Sequence, residues 1–369
     1  MVSTLLYSFE ELKNSNASDW EELNEKSVDG SFFHTLKWMR FLERFFRLRA
    51  RYFLAYRNEQ LIALFPFFER RVMGFSGLVT LPYLTVNPCN HIVMVDEQAS
   101  PMEALREKCG EITRKNHLSF AAVGLRRSLN YLEKSDCFSQ PTGNMILNLS
   151  ENNLNRIWNQ RFSKKGGERK MIRRFKLDGF EAGEVSSTGD LKKFYTYYGK
   201  NLLYLHARPF ETSYFEQLIR TYSAREIMLS LVCKGETIAG GYLAFLYDAK
   251  KTMYLRYLAL NRDLPNRYRT HLCLNWHAVR KASEMGYRTV HFGGTPNDPT
   301  HVNYRLKKKF GCKFEQKYIL IIPSSPIFKV AYRGYKFAKQ IVPRRWRALV
   351  SQEPNASEVV RNTTPMSSH

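Results

Sequence analysis

The sequence predicts a mixed α+β protein of two blocks, with mostly antiparallel central sheets flanked by helices and a basic tail behind them. Three observations carry this expectation. The chain has 369 residues, 44% hydrophobic and 14% aromatic, enough for two ordinary cores. Three strand-like runs follow one another, EIMLSLVC (226–233), TIAGGYLAFLY (237–247) and TMYLRYLAL (252–260), separated only by the turn segments KGE and DAKK. Helical periodicity stands on both sides of that meander.

In the first block, residues 1–143, HTLKWMRFLERFF reads as a helix, and ARYFLAYRNEQLIALFPFFERRV as a hairpin turning between Arg57 and Gln60. PMEALREKCGEITRKN reads as a second helix before the strand SFAAVGLR. The second block, 144–323, opens with the strand MILNLS. A basic stretch follows from residue 155 to 176, with nine Lys/Arg against one Glu, and then the strand FEAGEV. Helices follow through DLKKFYTYYGKNLLYL and ETSYFEQLIRTYS, and then the meander. A helix from about Leu264 through Ala282, the strand TVHFG, a short helix through Tyr304 and Lys308, and the strand FEQKYILII complete the block.

In the tail, residues 324–350, Phe328, Ala331, Tyr335, Ala338, Val342, Trp346 and Leu349 recur at helical spacing among Lys and Arg, with Pro343 as a break. Such a segment suits an anionic membrane face, or docking onto the protein's own second domain. Residues 351–369 read as disordered.

The balance of 57 Lys+Arg against 34 Asp+Glu, a net charge of +23, calls for an anionic partner: nucleic acid, a phosphate-bearing substrate or an acidic membrane face. Cys89, Cys109, Cys137, Cys233, Cys273 and Cys312 form no C-x-x-C pair, so reduced thiols are expected and no metal. The opening MVSTLLYSFEELK lacks a basic segment followed by a long apolar one, and no apolar run approaches the roughly 18 residues of a spanning helix. A cytoplasmic protein is expected, peripheral on the inner membrane face if the tail binds lipid.

The most pointed stretch is VNYRLKKKFGCKFEQKY, residues 302–318, with Lys307, Lys308 and Lys309 ahead of a Phe-Gly pair. Cations near a helix C-terminus closed by Gly311 explain it as a solvated end. One lysine turned into a site explains it as chemistry.

The element order of the second block, strand, two helices, three antiparallel strands, helix, strand, helix, strand, resembles the GNAT acyltransferase fold, and the first block resembles it in eroded form. More specifically, FFHTLKWMRFLERFF, NEQLIALFPFFERR and GLVTLPYLTVNP, then RKMIRRFKLDGFE, PFETSYFEQLI, LNWHAVRKASEMGYRTVHFGG and YRLKKKFGCKFEQKYIL, resemble the FemAB-like transferases, the peptidoglycan-bridge family and its relatives, over residues 30–322. The family's F-K-x-x-F-G segment falls on Leu306, Lys307, Lys308, Lys309, Phe310 and Gly311, with Leu in place of the first Phe. The resemblance implies that Lys307 and a neighbouring backbone N–H stabilise the oxyanion formed when an amine attacks an acyl carbonyl.

Further expectations attach to named residues. Arg169, Arg173 and Lys176, at i, i+4 and i+7, would clamp a phosphate from one helical face or simply be solvated. His206 and Arg208 sit where the resemblance implies an acceptor-lining loop, with a buried structural histidine as the alternative. Tyr254 and Arg256 share one face of a strand and Tyr257 the other, so the arginine would meet a ligand or solvent. Asn297 or Asp298, after the glycines of VHFGG, would orient substrate or form a capping turn. Tyr304 completes the substrate-binding set. Arg262, Arg267 and Arg269 stand where a CoA-binding GNAT carries R/Q-x-x-G-x-G/A, but Pro265 and Arg267 replace the glycines. Acetyl- or acyl-CoA and aminoacyl-tRNA therefore both stay open as donors.

The resulting expectation is an N-acyltransferase acting on an amine of a cell-envelope precursor, whether peptidoglycan, polysaccharide or lipid-linked, with tRNA and membrane as candidate partners. The rival is a nucleic-acid- or anionic-membrane-binding protein whose paired domains have lost chemistry. Zinc-finger spacing, RNP-like aromatics and heptads are absent from the sequence, as is a G-x-S-x-G elbow.

Overall fold

The computed structural model describes residues 7–72, 74–82, 88–95, 102–126, 138–163, 167–185, 187–265 and 268–341. The architecture is mixed α+β. Two compact units form: residues 1–142 with 316–369, and residues 143–315.

The first unit contains β1 (Tyr7–Glu11), α1 (Ala17–Lys26), α2 (Leu36–Phe46), β2 (Ala50–Arg57), β3 (Gln60–Val72), β4 (Phe75–Thr80), β5 (Val93–Met94), α3 (Met102–Lys115) and β6 (Phe120–Leu125). Helix α2 starts where Thr35 Oγ1 accepts from Trp38 N. The β2–β3 hairpin turns through Asn58 and Glu59, both at positive φ (+47° and +66°), as a two-residue loop between antiparallel strands requires. The strands run β1-β2-β3-β4-β6, antiparallel except for β4 with β6, and β5 adds to β3. Phe53, Phe65, Leu78, Leu105, Ile112 and Val123 fill the core between this sheet and α3.

The second unit begins within β7 (Phe138–Asn148). It continues through α4 (Leu154–Arg156) with a π-helical turn at Ile157–Arg161, α5 (Glu168–Leu177), β8 (Glu181–Glu184), α6 (Thr188–Tyr204) and α7 (Thr212–Thr221). The meander follows as β9 (Ile227–Lys234), β10 (Thr237–Tyr247) and β11 (Thr252–Leu260), then α8 (Thr270–Glu284), β12 (Thr289–Gly294) and α9 (Val302–Lys309). The strand order is β7-β12-β11-β10-β9-β8, and only the β11–β12 pair is parallel.

The chain returns to the first unit along β13 (Lys313–Pro323), whose Tyr318–Pro323 pair antiparallel with β6, and ends in α10 (Pro326–Ile341). Residues 316–323, expected in the second block, therefore cluster with the first, because β6 is the edge on which they pair. Phe328 and Tyr332 of α10 pack on Phe120 and Ile321 of that unit. The expected break at Pro343, with Trp346 and Leu349 beyond it, and the tail at 351–369 lie outside the described residues.

Helix α8 starts at Thr270, not near Leu264. Arg269 precedes it at φ +42°, a left-handed conformation that breaks the helical path.

Candidate active site

Strands β11 and β12 pair at only three positions, Thr252–Thr289, Met253–Val290 and Tyr254–His291, although β11 runs on to Leu260 and β12 to Gly294. Two irregularities part them. The register of β11 against β10 jumps from Leu243–Tyr257 to Ala244–Leu255, which leaves Arg256 as the extra residue of a β-bulge. On β12, Gly293 sits at φ +75° and the pairing with β7 slips between His291 and Gly294. A Cβ on Gly293 would lie 2.8 Å from Arg256 Nη1, so the bare backbone admits the guanidinium to the opening.

The bulge corrects the expectation that Tyr257 faces away from Tyr254: Tyr257 pairs with Leu243 and Tyr254 with Phe245, two residues apart on β10, so the extra residue puts both tyrosines on one face. Tyr254 is buried beside the His291 ring, at 5.1 Å between centroids. Arg256 lies 6.0 Å from the Tyr257 ring centroid.

Lys307 reaches this opening from α9. Its Nζ donates to Phe292 O at 2.8 Å, Thr295 Oγ1 at 2.7 Å and Gly294 O at 3.4 Å. Burial pulls its pKa down to about 8; the Cys312 sulfur opposes that fall and the charge of Arg256 adds to it. The local sequence fixes the lysine. Phe310, three residues on, is fully buried against Phe162 and Phe292, and Gly311 at φ +92° turns the chain where a Cβ would meet Arg161 and Asn152. Lys309 instead pairs with Glu168, and Lys308 lines a polar cleft with Arg156 and Arg161. An ammonium and a guanidinium in a partly desolvated opening can receive and stabilise developing negative charge.

The remaining expected residues separate. Tyr304 packs toward Phe314, ring centroids 6.0 Å apart. Asn297 is exposed, while Asp298 Oδ1 accepts from Thr300 N at 2.9 Å and Thr300 Oγ1 at 2.6 Å, the capping turn. Of the three cations of α5, Arg169 is buried and Arg173 and Lys176 are exposed, yet Arg169 and Arg173 both lie over the Trp158 ring. His206, at φ +54°, and Arg208 are exposed beyond α6, so His206 is not a buried structural residue. Arg262 turns toward α6, donating from Nε to Asn201 Oδ1 at 2.9 Å and stacking 3.9 Å from the Tyr204 ring centroid. Arg269 is exposed at the start of α8, and Arg267 lies outside the described residues.

Thr295 and Trp158 join the site without having been expected from the sequence. Thr295 holds Lys307, and its position directly after the two glycines was the available signal. Trp158 carries Arg169 and Arg173 over its ring, at 5.9 and 5.7 Å, and nothing in the local sequence marks it.

Residues 165–304 match the model of the acetyltransferase (GNAT) domain, so the chain carries a domain of this acyltransferase type there. No curated protein matches the sequence. Among solved structures, that of FemX is similar over 88% of this chain and 99% of its own, at TM-score 0.61 and 13% identity. A tandem GNAT protein from the clavulanic acid biosynthesis pathway is similar over 87% and 99%, at 0.56 and 11%. L-PGS from Bacillus licheniformis is similar over 87% and 96%, at 0.53 and 13%. At these identities the likeness is one of fold.

Proposed function

We propose that this chain, with its GNAT domain on a FemX-like fold, is an N-acyltransferase that moves an acetyl, acyl or aminoacyl group to an amine of a cell-envelope precursor, and that its first unit is a second, eroded GNAT-like domain. The observation that carries the reading is the opening between β11 and β12 with Lys307 and Arg256 in it. The acyl carbonyl lies there. The acceptor nitrogen attacks, a C–N bond forms, and the carbonyl electron pair moves onto oxygen, where the Lys307 ammonium answers the charge. The tetrahedral species collapses, the C–S or C–O bond to the donor breaks, and the amine's proton leaves with the thiol or hydroxyl released. A fixed donor of this kind typically contributes 10²–10³ in rate.

Lys307 acts in its protonated form, so its contribution is present below a pH of about 8 and is lost as pH rises through it. Tyr254 and Tyr304 are assigned to the substrate, with Asn297, His206, Arg208 and Lys176 as outer contacts. Arg262, Arg267 and Arg269 are assigned to the donor. The donor is acyl-CoA or aminoacyl-tRNA, the second kept open because Pro265 and Arg267 replace the glycines of a standard CoA loop.

The exposed side chains of Ile327 and Val330 on α10, among Lys329 and Arg333, support peripheral contact with an anionic membrane. Among the described residues no helix is long and apolar enough to cross one.

The donor assignment is tested by the melting midpoint with millimolar acetyl-CoA and, separately, with charged tRNA. A ligand at about 100 times its dissociation constant adds roughly 2.7 kcal/mol, so the true donor raises the midpoint by several degrees. A midpoint that answers neither contradicts the transferase reading.

A further inference from the structure

Arg169, the second residue of α5, is 7% exposed, and its Nε and Nη2 are buried with no hydrogen-bond partner among the described residues. These two nitrogens form the side-on edge of the guanidinium, which holds two oxygens of one phosphate or carboxylate through parallel N–H···O bonds. A buried charge with unanswered donors is strongly unfavourable unless something completes it. The adjacent acid does not: Glu168 accepts from Lys309 through Oε1 and from Ser163 N through Oε2, the latter at 3.0 Å.

The surroundings hold the edge in place. The guanidinium carbons of Arg169 and Arg173 lie 5.9 and 5.7 Å from the centroid of the Trp158 ring, and Trp158 packs on Trp276 at 5.4 Å. Two cations on one indole repel each other, and an anion bridging them removes that repulsion.

We propose that the Nε/Nη2 edge of Arg169 is an oxyanion-binding site of this unit, taking a phosphate or carboxylate group of the ligand with Arg173 as the second cation and Trp158 as their support. The proposal rests on the transferase reading for the ligand's place in the reaction, while the oxyanion chemistry stands on Arg169 itself.

The test uses the full chain at fixed ionic strength and follows the melting midpoint with inorganic pyrophosphate or with succinate, for the parent, Arg169→Met and Arg169→Lys. The parent midpoint rises with one of the two anions. Pyrophosphate alone assigns a phosphate, and succinate alone a carboxylate. Arg169→Met melts above the parent without ligand, because an uncompensated charge has left the interior, and loses the ligand response. Arg169→Lys keeps the charge but not the fork, and loses most of that response; it also carries the test if the methionine variant fails to fold. Equal responses in parent and Arg169→Lys overturn the proposal, as does an unliganded Arg169→Met that folds and melts below the parent. None of these readings depends on acyl transfer, so a failed transferase assay and a failed anion site are told apart.

Discussion

Lys307, Lys308 and Lys309 are consecutive, yet they end in a buried opening, a polar cleft and an ion pair, because a helix turns about 100° per residue. Only the buried one is chemically unusual. A second set of buried polar side chains lies in the first unit and has a different consequence. His34 Nε2 donates to His91 O at 2.7 Å, and His91 Nε2 donates to Asp29 O at 2.8 Å. Each Nδ1 is left as an acceptor, facing Ser31 Oγ at 2.7 Å and Lys317 Nζ at 3.4 Å respectively. Both imidazoles are therefore held neutral. Burial lowers the pKa of His34 to about 3 and, helped by Lys317, that of His91 well below its usual value. Depressed folded-state values mean stability that is full above the unfolded value near 6.5 and is lost as pH falls below it, at roughly 1 kcal/mol per pH unit for each histidine. The urea midpoint should be clearly lower at pH 5 than at pH 7, with Arg126 and Lys317 adding repulsion to any charged ring. A midpoint that does not move between those values contradicts the assignment.

At the scale of elements, α10 uses one side to pack and leaves another bare: Phe328 and Tyr332 are buried while Ile327 and Val330 are 73% and 71% exposed. No acidic residue occurs from 324 to 350, and seven Lys and Arg do. Each cation near an anionic bilayer contributes about 1 kcal/mol, so the chain should cosediment with vesicles rich in phosphatidylglycerol and not with phosphatidylcholine alone. The double variant Ile327→Glu, Val330→Glu should lose that binding; equal sedimentation of parent and variant contradicts it. Other elements differ in how far local sequence announces them. The meander β9–β11 was legible because KGE and DAKK leave room for nothing but tight turns. The bulge at Arg256 was not, since the extra residue is defined only by pairing with β10. Helix α8 begins later than local sequence suggests: Pro265 suits a first helical turn, but Arg269 at φ +42° breaks the path and the helix starts at Thr270. The place of Arg169 over the Trp158 ring is a contact between elements, which α5 periodicity cannot report.

At the scale of the molecule, each unit arranges helices on a mixed sheet and includes a parallel pair, β4–β6 in the first and β11–β12 in the second. In the second, burial lowers the pKa of Lys307 to about 8 where its side chain reaches an opening between separated strands. The measurement that tests the catalytic role of Lys307 most directly is thiol release from acetyl-CoA, with a panel of amino sugars and amino-acid amines, for parent and Lys307→Ala, with aminoacyl-tRNA substituted if acetyl-CoA does not bind. The parent should turn over and the variant should be slower by about 10²–10³, with the donor-induced rise in melting midpoint unchanged. Equal turnover in the two proteins, or none in the parent with either donor, would contradict that role.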